Sequence, residues 1–145
     1  MTIPVWYDPE AGLDLPALAS ELHLSPDEIV ALHSGTEYRV FMLGFKPGFP
    51  YMGTLPERLA APRLASPRTA VPAGSVAIAG RQTGIYSVRS PGGWRILGRT
   101  PLTLFDAQRE EPFLLRAGDR VRFEPIDRTR FLELEERRPR GGAVG

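Results

Sequence analysis

The sequence predicts a mainly β fold: a closed barrel with a short helix pair near the N-terminus and a helix at the C-terminus. Three observations carry this expectation. Glycine and proline, 15 of each in 145 residues, are spread as punctuation between short apolar runs, the pattern of brief strands joined by turns. From Ser75 onward those runs are rich in β-branched and aromatic residues, which suit a pleated, half-buried surface. So many short strands expose many edges, and closure into a barrel removes them.

Each element has a local reason. Ile3–Tyr7 reads as a first strand. Asp14 is placed to cap a helix running to about His23, with Leu15, Leu18, Ala19 and Leu22 on one face. Ser25-Pro26-Asp27-Glu28 is a capping box with proline at the first helical position, so a second helix runs to about Ser34. Gly35 follows where a left-handed C-cap residue belongs. Thr36–Phe45 reads as a buried strand, and Lys46–Pro56 as a loop stiffened by proline. Further strands are expected at Ser75–Ala79, Gly84–Val88, Trp94–Leu97, Leu102–Phe105, Phe113–Leu115 and Arg120–Pro125. Asp127 is placed to cap a last helix with Phe131, Leu132 and Leu134 facing inward. Residues 1–136 form a single domain on this reading, and 137–145 a flexible tail without periodic apolar residues.

Composition narrows the function. The 42% hydrophobic and 24% charged residues are the balance of a soluble globular protein. No run approaches the roughly 20 apolar residues of a spanning helix, and no secretory leader opens the chain. The expected location is therefore the cytoplasm, with no membrane partner. The absence of cysteine excludes disulfides and thiolate chemistry. Eighteen basic residues against 17 acidic ones, interspersed, disfavour a nucleic-acid partner. No histidine–carboxylate cluster has metal-ligand spacing, and no G-x-x-x-x-G-K-[ST] loop is present to cradle ATP phosphates.

Three segments combine glycine, proline and aromatic residues where the backbone must turn tightly: Gly44–Gly53, Pro72–Tyr86 and Ser90–Pro101. Glycine admits close approach to the main chain, proline fixes a loop in advance, and Tyr51, Tyr86 and Trp94 supply flat walls with polar tips. Gathered at one barrel mouth, the segments would bind a small polar ligand. Composition alone favours the plainer alternative, tight hairpin turns over a packed core.

The same three segments, in this order, resemble the family of 5-oxoprolinase B subunits, also described as KipI-like or allophanate hydrolase subunit 1-like. The matching pieces are G-F-x-P-G-F-P-Y-M-G, P-A-G-S-V-A-I-A-G-x-Q-T-G-I-Y and S-P-G-G-W-x-x-[IL]-G-R-T-P, and the similarity runs from about Ile3 to Ile126. The resemblance implies a cyclophilin-like β-barrel. It implies a role as one component of an ATP-dependent complex that opens 5-oxoproline (pyroglutamate) to glutamate. The implied partners are a C subunit of the KipA or allophanate hydrolase subunit 2 type, together with an A subunit of the LamB/YcsF type. Family members usually carry a small α/β domain ahead of the strand at Ile3, so this chain, opening there with Met1, is expected to be a fragment or a shortened form. Alternatives within the same resemblance are a KipI-like inhibitor of a sensor histidine kinase and a urea carboxylase-type carboxyltransferase subunit.

Candidate site residues follow. The loops Phe45–Gly53, Gln82–Tyr86 and Ser90–Trp94 are expected to form one wall of a composite site. Phe45, Lys46, Pro47, Gly48, Phe49, Tyr51, Thr83, Tyr86, Gly92, Gly93, Trp94 and Thr100 would be its substrate-binding residues. His33, Gln82 and Arg99 are the catalytic candidates. His33 is the titratable group within reach of the cleft, although a histidine in a helix's last turn also suits the helix dipole. Main-chain N–H groups of Gly92 and Gly93, with Gln82 and Arg99, would stabilise developing negative charge. Arg63 and Arg68 are open between meeting an anion and facing solvent, Arg63 more readily the latter. No cofactor is expected on this chain, the nucleotide belonging to a partner.

Overall fold

The computed structural model describes residues 1–44 and 47–137. Nine strands and three helices follow one another: β1 (Thr2–Trp6), α1 (Leu15–Leu22), α2 (Pro26–Ser34), β2 (Glu37–Leu43), β3 (Pro50–Gly53), β4 (Arg68–Val71), β5 (Ser75–Ala79), β6 (Gln82–Ile85), β7 (Ser90–Gly92), β8 (Arg95–Arg99), β9 (Arg120–Ile126) and α3 (Arg128–Glu136), with a 3-10 turn at Glu57–Leu59. Seven strands close a barrel in the order β1-β8-β5-β6-β3-β2-β9, and β4 pairs with β7 in a separate ribbon. The barrel shuts where β1 runs parallel to β9, from Thr2 opposite Arg122 to Trp6 opposite Ile126. The other contacts around the ring are antiparallel.

The barrel has a filled interior. Ile3, Val5, Val40, Met52, Val76, Ile78, Ile85, Leu97, Val121 and Phe123 meet inside it, and the α1–α2 pair adds Leu15, Leu18, Leu24 and Ile29 to the same core. Each such side chain contributes roughly 1.5–3 kcal/mol through burial. Strand β5 shows how the two faces differ. Val76 and Ile78 point inward, whereas the smaller Ala77 and Ala79 point outward into a second cluster with Phe49, Val71, Tyr86, Trp94 and Ile96. The aromatic residues therefore cover the outer wall of the barrel, beneath the β4–β7 ribbon.

Several elements match their expected bounds. The second helix starts at Pro26 behind a complete Ser25–Glu28 capping box and ends at Ser34. β5 occupies the predicted residues, and Asp127 caps α3 by accepting from the Arg130 N–H. Others are corrected. Gly35 ends α2 with φ −80°, so it is not the left-handed residue; His23, at φ 54°, takes that conformation after α1. The expected loop Lys46–Pro56 contains β3, with proline at its first position and both ends of the strand buried. Leu102–Phe105 and Phe113–Leu115 are not strands: one Phe105–Phe113 bridge joins them, and Leu104 and Leu115 act as core plugs. In α3, Phe131 is buried and Leu132 is exposed. The expected tail from residue 138 onward lies outside the described residues.

Candidate functional site

The site is built on the outer aromatic cluster. Phe49 lies edge-on to Tyr86 and Trp94, with ring centroids 5.5 and 5.3 Å away, and Tyr51 packs against Phe49 at 4.9 Å. Two glycines make room for this arrangement. A Cβ on Gly84 would stand 2.8 Å from the Phe49 ring, and one on Gly92 would overlap the Tyr86 hydroxyl. Above the cluster is a half-open groove of about 460 Å³ lined by Tyr51, Arg63, Leu64, Pro67, Tyr86, Gly92, Gly93 and Trp94. Each of the three sequence segments thus contributes to one cavity. Its place differs from the expected barrel mouth, because the interior is occupied by aliphatic side chains while small alanines on the outer face leave room for rings.

The groove's wall is fastened by buried charge. Asp14 occupies the N-cap position of α1 but makes no side-chain cap bond. Its carboxylate instead accepts from both Arg68 guanidinium nitrogens, at 2.6 and 2.8 Å, and from the Ile96 N–H at 2.7 Å. Burial pushes the Asp14 carboxyl up, but the Arg68 and Ile96 bonds outweigh it and hold the pKa below the ordinary carboxylate value. Arg68 begins β4, opposite Gly92 of β7, so this pair ties the ribbon to both α1 and β8. Arg95, buried on β8, bonds the Glu21 carboxylate at 3.0 Å and reaches the Pro62 carbonyl at 3.4 Å. The Leu64 N–H donates to the Gly93 carbonyl at 2.8 Å. Residues 62–68 are therefore held along the groove from three directions.

Among the described residues the groove offers neutral donors and one cation, Arg63. Burial pushes the Tyr51 phenol up, against the pull of the Arg63 charge. Burial also raises Tyr86, against the bond from the Trp94 main-chain N–H and the charges of Arg63 and Arg68. Both hydroxyls are therefore protonated at neutral pH. The Arg63 guanidinium stands 5.9 Å from the Trp94 ring centroid, a cation–π distance.

The predicted residues separate into two sets. Tyr51, Tyr86, Gly92, Gly93 and Trp94 line the groove, and Phe49 is buried against the Tyr51, Tyr86 and Trp94 rings without lining it. His33, Thr83, Gln82, Arg99 and Thr100 do not line it. His33 is fully buried inside the barrel, stacked on Phe123 with centroids 4.6 Å apart. Thr83 donates to the Ala77 carbonyl, so it accepts from His33 Nε2 at 2.9 Å; the Tyr7 hydroxyl then donates to Nδ1 at 2.7 Å. Burial lowers the His33 pKa to about 3, which keeps the ring neutral. Gln82 is exposed on β6, paired with Gly53. Arg99 bonds the Ala73 carbonyl at 3.3 Å, and Thr100 is buried with its N–H on the Gly74 carbonyl. Pro47 is exposed in a turn and Gly48 lies against the Phe113 ring. Phe45 and Lys46 lie outside the described residues.

Leu64, Pro67 and Asp14 carry no site signal in the sequence, and Arg63 is open there. The stretch Pro62–Arg68 has no apolar period that would assign its side chains to a face. Asp14 carries the signal of a helix cap, which hides its ion pair. Among the described residues no group of three His, Asp or Glu side chains is gathered to hold a metal ion, and no helix is long and apolar enough to cross a membrane.

Comparison with known proteins places this geometry. The model of the carboxyltransferase domain, subdomains C and D, matches residues 1–115. The chain is 56% identical over 123 residues to the 5-oxoprolinase B subunit of Escherichia coli, covering 85% of this chain and 56% of that protein. It is 51% identical over 134 residues to the 5-oxoprolinase B subunit of Bacillus subtilis, covering 92% and 56%. The chain thus spans about half the length of the curated relatives it matches. A conserved uncharacterized protein from Pyrococcus horikoshii superposes with a TM-score of 0.87 at 50% identity, over 90% of this chain and 61% of that one. The urea carboxylase of Kluyveromyces lactis shares the fold, with a TM-score of 0.74 at 20% identity over 93% of this chain and 14% of its own. With its barrel, outer aromatic groove and three glycine-rich segments, the chain belongs to the carboxyltransferase subdomain C and D family, where its curated relatives are 5-oxoprolinase B subunits.

Proposed function

We propose that this chain is the barrel part of a 5-oxoprolinase B subunit, supplying one wall of a composite site that opens 5-oxoproline to glutamate. The observation that carries this reading is the meeting of Tyr51, Tyr86 and Gly92–Trp94 on a single half-open groove, together with relatives named as 5-oxoprolinase B subunits at 51–56% identity. Lactam opening builds negative charge on the amide oxygen as water adds to the carbonyl carbon, and the charge is released when that intermediate expels the ring nitrogen, which leaves protonated as the amine. The neutral Tyr51 hydroxyl, held in a partly dry groove, stabilises that charge without first having to reorient. The open side is closed by a KipA-type C subunit, while a LamB/YcsF-type A subunit completes the complex. ATP is assigned to a partner, as the family resemblance implies.

Gly93 gives the test. A Cβ there would meet Pro67 at 3.6 Å, an ordinary contact, so a side chain fits the fold and projects at the groove. The Gly93→Val protein, reconstituted with its KipA-type and LamB/YcsF-type partners, is expected to keep its circular dichroism and melting profile while ATP-dependent glutamate formation falls at least about tenfold, the 1.4 kcal/mol scale of one lost transition-state contact. Turnover equal to the unsubstituted protein would overturn the assignment of the groove.

A further inference from the structure

Resting on that reading, we propose that Arg63 is the specificity residue of the groove, taking the carboxylate of a small planar amide whose carbonyl oxygen meets the Tyr51 hydroxyl. The argument begins with charge. Among the described residues the carboxylates nearest the site are already committed, Asp14 to Arg68 and Glu21 to Arg95. Arg63 makes no such pair, and its guanidinium rests on the Trp94 ring at the groove's edge. The cation–π contact with the indole holds the guanidinium at the groove's edge, where its fork is presented to anything that enters.

The groove then selects the ligand by count. Among the described residues one unpaired cation lines it, which balances one carboxylate and leaves a doubly charged phosphate half-compensated. The neutral Tyr51 O–H suits a carbonyl oxygen, not a second anion with its own demand for cations. Gly92 and Gly93 leave the side facing the phenols clear of side chains, and the Trp94 and Tyr51 rings provide flat walls for a planar ring or amide. The ligand class that satisfies all of these is a compact monocarboxylate bearing an amide or lactam.

Calorimetric titration of the intact chain tests this with three probes: 5-oxoproline, 2-pyrrolidinone (the same ring without the carboxylate) and inorganic phosphate. The unsubstituted chain is expected to prefer 5-oxoproline over 2-pyrrolidinone by about tenfold or more, the value of one charge-assisted bidentate contact. Arg63→Ala should erase that preference while leaving 2-pyrrolidinone binding unchanged, Arg63→Lys should retain part of it, and Arg58→Ala, altering an exposed arginine paired with Glu28, should retain all of it. A preference that survives Arg63→Ala, equal loss of both rings, no saturable binding of either, or tighter binding of phosphate would each overturn the proposal. The outcome separates from that of the functional reading. An Arg63-dependent preference with no glutamate formed by the complex upholds this inference and defeats the reading, whereas glutamate formation with an unchanged KM in Arg63→Ala does the reverse.

Discussion

At His33 the imidazole is stacked on Phe123 and bonded at both nitrogens, to Tyr7 and Thr83, within the barrel core. Burial holds its pKa at about 3, whereas the unfolded chain offers the ordinary value of 6.5. Between those two values the unfolded state binds a proton that the folded state refuses, so stability falls as pH drops through the window. The slope is at most about 1.4 kcal/mol per pH unit. Asp14, whose folded pKa is depressed, costs stability only below its unfolded value of 3.8, so pH 6.5 to 5 isolates the histidine. Urea unfolding across that range is expected to show the decline in the unsubstituted chain and a flat profile in His33→Gln. A flat profile in the unsubstituted chain would contradict the buried, neutral ring. A helix-terminal histidine reads identically in sequence whether it caps, catalyses or packs. Only the inward course of α2 into β2 decides among these, and that is a tertiary fact.

At the scale of elements, the β4–β7 ribbon stands outside the barrel on a single short ladder, Arg68 opposite Gly92 and Val71 opposite Ser90. The Asp14–Arg68 pair does the fastening. Asp14→Ala leaves a partly exposed guanidinium without its partner and the buried Ile96 N–H without its acceptor, and is expected to cost about 2 kcal/mol in urea unfolding. Amide exchange should quicken in β4 and β7 ahead of the barrel strands; uniform exchange across the molecule would show that the pair stabilises without fastening the ribbon. Neither strand is legible in the sequence. Ser90-Pro91-Gly92 carries turn chemistry, and Arg68–Val71 is too short to show alternation. β3 is hidden likewise by proline and glycine at its two ends. By contrast α2, with its capping box, and β5, with its unbroken apolar run, need no tertiary help. The runs at Leu102 and Phe113 mislead because buried leucines plug a core equally well with or without a strand ladder.

Over the whole molecule, one alternation decides where function can sit. The inward residues of the barrel are large aliphatics that leave no lumen, and the outward alanines of β5 leave a shallow bed for rings. The convergence of the three glycine-rich segments is legible only through their resemblance to a known family, since composition alone favours separate hairpin turns. Their position on the outer wall is not, because facing depends on the register of β5 against β6 and β8. The most direct test is a nuclear magnetic resonance titration of the chain with 5-oxoproline, following its two indole N–H signals. Trp94 lines the groove, while Trp6 packs against Phe131 of α3, with ring centroids 5.2 Å apart. A saturable shift of the Trp94 signal, with the Trp6 signal unmoved, is the predicted result. Shifts centred on Trp6 or the barrel interior, or none at all, would contradict the groove as the place where the substrate binds.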